Sequence, residues 1–234
     1  MNILIQPPKT KLEPEQRFMC WQIGWEGYEK IVEALAERPI RTTYYGGDLE
    51  LMSPLPIHET IKVWFGHFLL ALSLELHFAY RSMSQTTFRR RDRDRGLEPD
   101  DCFYLSGMDK VVDWDSLNLD RDPPPDLAVE VDITSSSLDR MGVYAGLEVP
   151  EVWRFDGEKW HIHVLTTAGS YRESVSSKAL PYLSLSEINT LFLETLPMAD
   201  NSERFRIFTS WARERMLPLK RDWEQDSPSS DANP

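Results

Sequence analysis

Glu130 stands where a buried strand would carry valine or isoleucine. The run Pro125-Asp126-Leu127-Ala128-Val129-Glu130-Val131-Asp132-Ile133 is otherwise apolar. A carboxylate in such a run is costly to bury unless it is paired, hydrogen-bonded or bound to a metal. Glu130 and Asp132 are two residues apart, so they project from the same face of a strand. A second run, Glu98-Pro99-Asp100-Asp101-Cys102-Phe103-Tyr104-Leu105, also puts acids at the head of an apolar strand. Oxygen ligands converging from neighbouring strands suit a hard cation such as Mg²⁺ or Mn²⁺. The alternative for Glu130 and Asp100 is a strand-end carboxylate satisfied by backbone N–H groups.

The rest of the chain bounds what such a strand pair can belong to. At 234 residues and 41% hydrophobic content, it can bury a sizeable core in one domain. Its formal net charge of −12 argues against a generic nucleic-acid coat, though not against a local basic groove. Cys20 and Cys102 are far apart and form no zinc pattern, which reads as free thiols in a reducing cytoplasm. The N-terminus has no signal-peptide pattern. The longest apolar stretch, Val63 to Leu76, holds Gly66, His67, Ser73 and Glu75, too short and polar to span a membrane.

Periodicity sets out the elements. Residues 1–20 read as a Pro- and charge-rich arm, residues 21–216 as one domain and residues 217–234 as a flexible tail. Helices are expected over Trp25–Glu37, Ile57–Phe78, Leu138–Leu147, Leu185–Glu194 and Ser202–Met216. Ser135-Ser136-Ser137 offers N-caps for the third of these. Thr42–Tyr45 and Asp48–Met52 around Gly46-Gly47 read as a hairpin, and so do Pro150–Asp156 and Trp160–Thr166 around Asp156-Gly157. Arg81–Arg91 and Leu97–Leu105 read as two strands joined by an Arg-rich turn, and Asp126–Ile133 as a central strand. The order of elements gives an α/β domain with a mixed sheet flanked by helices.

These residues also carry a resemblance. Gly96-Leu97-Glu98-Pro99-Asp100, the Pro125 to Val131 run, Ser135-Ser136-Ser137 with Tyr144, and Val149-Pro150-Glu151-Val152-Trp153-Arg154-Phe155-Asp156 resemble the Uma-type family. That family is a restriction-endonuclease-like branch of the PD-(D/E)XK nuclease superfamily. The resemblance extends to Asp48-Leu49-Glu50-Leu51-Met52-Ser53-Pro54 followed by His58. It implies a restriction-endonuclease-like fold and a metal-dependent nuclease acting on DNA, with a homodimer as the expected assembly. Asp100 would be the aspartate of the PD element and a metal ligand, and Glu130 the acid of the E-x-K element. The lysine of that element falls on Asp132, and its role would pass to Arg140, four residues before Tyr144. Glu50, His58 and Asp126 would form an outer ring. Arginine stays protonated where lysine can lose a proton. The competing reading is therefore a weak or inactive nuclease fold that binds or regulates.

Each role has a plainer alternative. Asp126 is a candidate strand-entry residue, Asp132 a solvent-facing strand end, Arg140 a solvated helix residue and His58 a packing residue. His67 and His77 read as core or edge histidines, and His161 and His163 as members of an outer strand. Arg89, Arg90, Arg91, Arg93 and Arg95 form the one concentrated basic run. It could track phosphates, or be a hairpin tip with internal Arg–Asp pairs. Val152, Trp153, Phe155, Trp160 and Ile162 read as core rather than a base-stacking platform.

Overall fold

A computed structural model describes residues 16–35, 38–84, 86–115, 117–132, 136 and 138–226. Two sheets organise it. The first runs β1 (Gln16–Cys20), β3 (Asp48–Ser53), β2 (Arg41–Tyr45), β6 (Arg95–Leu97), β5 (Phe88–Arg90), all antiparallel. The second runs β11 (Tyr171–Ser174), β10 (Trp160–Leu165), β9 (Glu151–Phe155), β8 (Leu127–Val131), β7 (Asp101–Tyr104), β4 (Arg81–Ser82). It is mixed, because β8 and β9 are parallel while the other neighbours are antiparallel. The α/β class with helix-flanked sheets matches the expectation.

Helix α1 (Gly24–Leu35) covers the first sheet, packing Tyr28 on Tyr44 and Leu49. Helix α2 (Pro56–Leu76) is apolar almost all round because it is buried by the second sheet and by α5 (Asn201–Trp211). Its Phe65 and Phe68 meet Phe103, Trp153, Trp160 and Phe208, the centre of the main core. No helix among the described residues is long and apolar enough to cross a membrane. The short helix α3 (Arg140–Gly146) buries Val143 and Tyr144 against Ala128, Cys102 and Val152. Along β8, Leu127, Val129 and Val131 join the main core, while Ala128 packs under α3. That alternation puts Glu130 on the α3 side. Both cysteines are free, as expected, and Cys102 is buried.

Several boundaries differ from expectation. Gln16–Cys20 is not arm but strand β1, zipped along β3. The remainder of the arm, residues 1–15, lies outside the described residues. The two strands expected over 81–91 and 97–105 each split between the sheets: β4 and β7 join the second, β5 and β6 the first. Pro99, which has no N–H to give, marks the break between β6 and β7. The hairpin β2–β3 turns on Gly46 (φ 58°) and Gly47 (φ 96°), the positive pair a tight two-residue turn needs. The stretch expected as tail is helical through Asp226: α5 runs through a π-helical turn (Ala212–Met216) into α6 (Leu217–Asp226), and residues 227–234 lie outside the described residues. The register change sits just ahead of Pro218, whose missing N–H cannot serve a regular helix. Helix α4 (Leu185–Thr195) lies close to its expected span.

Candidate active site

The pairing of β7 with β8 brings the two acids together. Asp101 opposes Val129 and Cys102 opposes Ala128, so one further step sets Asp100 against Glu130. Asp100 is 2% exposed and Glu130 7%.

Asp100 is held as a carboxylate. Its Oδ2 accepts from the Val131 N–H at 2.7 Å and lies 3.5 Å from His58 Nδ1. Arg41 Nε is 3.6 Å from its Oδ1. Burial alone would raise its pKa, but the His58 contact, the Val131 N–H and the Arg41 charge together hold it below the usual range. His58 is fully buried at the start of α2, and Arg41 is the first residue of β2.

Glu130 is pushed the other way. Burial raises its pKa, the Arg140 guanidinium opposes this, and the charge of Asp100 raises it further. Arg140 Nη2 and the Tyr144 hydroxyl both donate to Glu130 Oε1, and Oε2 accepts no hydrogen bond among the described residues. Tyr144 is raised well above the ordinary tyrosine value by burial and by Glu130, so its hydroxyl stays a donor. Two neighbouring acids biased in opposite directions are a common arrangement in catalytic centres.

Arg140 closes the cluster. It also donates to the Thr43 hydroxyl and, at 3.1 Å, to the Glu98 carbonyl. Its pKa is raised: burial lowers it, but Glu130, Tyr144 and Asp100 outweigh that. The backbone turn that places it is capped by Asp139, whose Oδ1 accepts from the Gly142 N–H at 2.9 Å. The expected serine cap is displaced: Ser136 instead donates to Glu50 Oε1 at 2.9 Å, and Ser135 and Ser137 lie outside the described residues. Glu130, Asp132, Ser136, Arg140, Tyr144 and Arg154 line a cleft of about 160 Å³.

The other expected residues divide. Glu50 opposes Thr43 across β2–β3, and its Oε1 accepts from Arg17 Nη1 at 2.6 Å and from Ser136 of the cleft. Asp132 faces the same cleft as Glu130, as their spacing implies, and its Oδ2 accepts from Arg154 Nη2. It is therefore neither solvent-facing nor bound to Arg140. Asp126 is not in the ring. At the far end of β8 it accepts from the Leu105 and Ser106 N–H groups at 2.7 and 2.8 Å, tying a turn. The arginine run forms the β5–β6 tip. There Arg90 pairs with Asp92, Asp120 and Glu148, Arg93 with Glu148, and Arg91 with Glu26. Arg89 is exposed on β5. Arg95 stacks on Tyr45 instead.

Sequence reasoning missed Arg17, Arg41, Thr43 and the role of the Tyr144 hydroxyl. Arg41 leads a strand whose next three residues, Thr42, Thr43 and Tyr44, are all buried. A charge opening so buried a strand is the same anomaly that marks Glu130.

Among the described residues, no three His, Cys, Asp or Glu side chains form a group that could hold a metal ion. Two hard carboxylates can still fit Mg²⁺, which binds through one or two carboxylates and keeps several waters. The unengaged Oε2 of Glu130 and the mutual repulsion of Asp100 and Glu130 fit that donor set.

The family model described as "Uma2: Putative restriction endonuclease" matches residues 25–196. A comparison with curated proteins finds no match. Among solved structures, a protein described as "a putative nuclease belonging to DUF820 from Anabaena variabilis ATCC 29413" is similar. It aligns with a TM-score of 0.43 and 11% identity over 73% of this chain and 90% of that one.

Proposed function

The chain belongs to the Uma2 family, and we propose that it is a metal-dependent nuclease hydrolysing DNA phosphodiester bonds. The observation that carries this is the pairing of two buried, oppositely biased carboxylates, Asp100 and Glu130, of which Glu130 and its partner Arg140 line a cleft and Asp100 sits behind them. Asp100 and Glu130 would hold Mg²⁺ or Mn²⁺. When bound, such an ion polarises a phosphate oxygen and makes a water more acidic. Arg41 and His58 keep Asp100 ionised for that purpose. Tyr144 fixes the rotamer of Glu130 through Oε1. Arg140 stays protonated and stabilises charge developing on the phosphate, without serving as a base.

A second reading is a catalytically inactive nuclease fold that binds or regulates. It is favoured by the Arg140–Glu130 ion pair, which already neutralises the acid, and by Asp132 at the lysine position of the superfamily pattern. Calorimetric titration with Mn²⁺, paired with nicking of supercoiled plasmid in Mg²⁺, separates the two. The nuclease reading expects binding and nicking by the native chain and neither by Glu130→Gln. Absence of both in the native chain leaves the inactive reading.

A further inference from the structure

A second cleft, about 540 Å³, opens beside the first. Helix α3 and its cap link them: Asp139, Arg140 and Met141 line the catalytic cleft, and Gly142, Ala145 and Gly146 the other. The second cleft contains Arg95, whose guanidinium carbon lies 3.7 Å from the centre of the Tyr45 ring. Arg95 is the one arginine of the tip run that is both fixed in place and, among the described residues, without a carboxylate partner. Its only hydrogen bond there is Nη1 to the Asp94 carbonyl, at 2.9 Å. Arg90 and Arg93 on the same hairpin are occupied by Asp92 and Glu148.

The fixing is built into the backbone. A Cβ on Gly146 would sit 2.8 Å from Arg95 Cγ, so the side chain lies against bare helix backbone. Gly142 runs beside the Tyr45 ring, where a Cβ would come 3.4 Å from it, though its tight contact is with the capping Asp139 carboxylate. Gly146 therefore leaves the room in which an arginine stacks on an aromatic ring. A stacked guanidinium keeps its edge N–H groups directed outward, the geometry that suits a phosphate.

We propose that Arg95, stacked on Tyr45, seats a backbone phosphate of the DNA strand adjoining the one in the catalytic cleft. This rests on the nuclease reading above for its choice of anion. The polymer is indicated by continuity: a second anion seat next to a phosphodiester site, along one helix, fits a chain of phosphates better than a separate small molecule. The Arg-rich tip then contributes through one residue, not as a basic patch.

Fluorescence anisotropy of the full chain with a short labelled duplex, in EDTA over a salt series, tests this. Native protein should bind with a salt-dependent affinity. Arg95→Gln should weaken binding about tenfold and lower the log–log salt slope by about 1, equally for unrelated sequences. Arg95→Lys should keep the slope and recover part of the affinity. Gly146→Ala leaves the charge unchanged but displaces the Arg95 stem, and should also weaken binding. Arg90→Gln should change affinity less than about twofold. Equal losses from Arg90→Gln and Arg95→Gln, an unchanged slope, or no binding by native protein would each overturn the proposal. Thermal melts of the variants confirm folding. Cleavage is scored separately in Mg²⁺. Arg95-dependent binding without any cleavage removes the nuclease reading and keeps the seat. Cleavage and binding that are both indifferent to Arg95→Gln remove the seat and keep the nuclease.

Discussion

Glu130 and Glu151 sit on neighbouring parallel strands, both buried, in runs that look alike in sequence: Ala-Val-Glu-Val and Val-Pro-Glu-Val. Their surroundings are opposite. Glu151 meets neutral donors on both oxygens. Trp153 Nε1 at 2.5 Å and Ser177 Oγ at 2.6 Å donate to Oε1, and the Lys178 and Ala179 N–H groups donate to Oε2, the latter at 3.0 Å. It pins the segment after β11 to the head of β9. Glu130 meets Arg140, a tyrosine and the field of a second acid, and it lines a cleft. A buried carboxylate alone therefore does not mark a site. The kind of donor does: backbone and neutral side chains finish a carboxylate, while a lone arginine and a second acid leave it chemically open.

The same substitution at both positions gives the largest contrast in stability. Glu151→Gln turns an NH₂ group toward donors and should cost on the order of 2–4 kcal/mol, from the penalty for buried unsatisfied groups. Urea unfolding measures it. Glu130→Gln keeps an Oε1 acceptor for Arg140 and Tyr144, and its parent carboxyl is already biased toward protonation. The substitution does leave the buried Arg140 cation without its carboxylate, so its cost should be about 1–2 kcal/mol, still below that of Glu151→Gln. Comparable losses at the two sites would erase the distinction drawn between them.

Arg140→Lys sharpens the functional side. A lysine can share a proton where arginine does not, so in Mg²⁺ the variant should cleave faster, by up to about tenfold, or roughly 1.4 kcal/mol of barrier. Single-turnover rates on plasmid are the readout. A slower variant would show that the fork binding Glu130, Thr43 and the Glu98 carbonyl matters more than proton transfer.

How much of this could be read beforehand follows from the same contrast. Asp100, Glu130 and Arg140 were legible because acids in apolar runs break a local pattern, and because the ordered motifs resemble a known family. The outer-ring place for Asp126 arose for the same reason, while its strand-entry alternative describes what it does. It too heads an apolar strand, but its oxygens go to the Leu105 and Ser106 N–H groups, and nothing local announces that turn. Arg41 and Thr43 come from the other sheet, and Arg17 from a segment read as an arm. Their arrival depends on register between distant strands, which hydrophobic period cannot give. The division into two sheets was hidden likewise, since a strand broken at Pro99 looks continuous to a periodicity count.

The smallest effect lies on the surface, where charged partners surround a histidine instead of a carboxylate. His161 on β10 contacts Glu173 at 2.7 Å through Nδ1 and Asp156 at 2.8 Å through Nε2. Partial burial lowers its pKa, but these two carboxylates outweigh that and raise it above 6.5. His163, two residues on, is lowered by burial, with Glu173 opposing and the charges of His161 and Arg154 adding to the lowering. The signs are opposite. The contribution of His161 is complete below its unfolded pKa and fades as pH rises through its folded value. That of His163 is complete above its unfolded pKa and fades as pH falls through its folded value. The two windows adjoin at 6.5, so together they give a shallow stability maximum near there, with a small loss on either side. Stability should fall in acid as Asp156, held at about 2 against burial by the N–H groups of Lys159 and Glu158 and by His161, takes up its proton. NMR titration of the two imidazoles should find His161 above 6.5 and His163 below it. Glu173→Gln should lower both, because its charge favours protonation of each ring. If both titrate together near 6.5, surface carboxylates do not bias a histidine here, and donor type governs titration only where water is excluded.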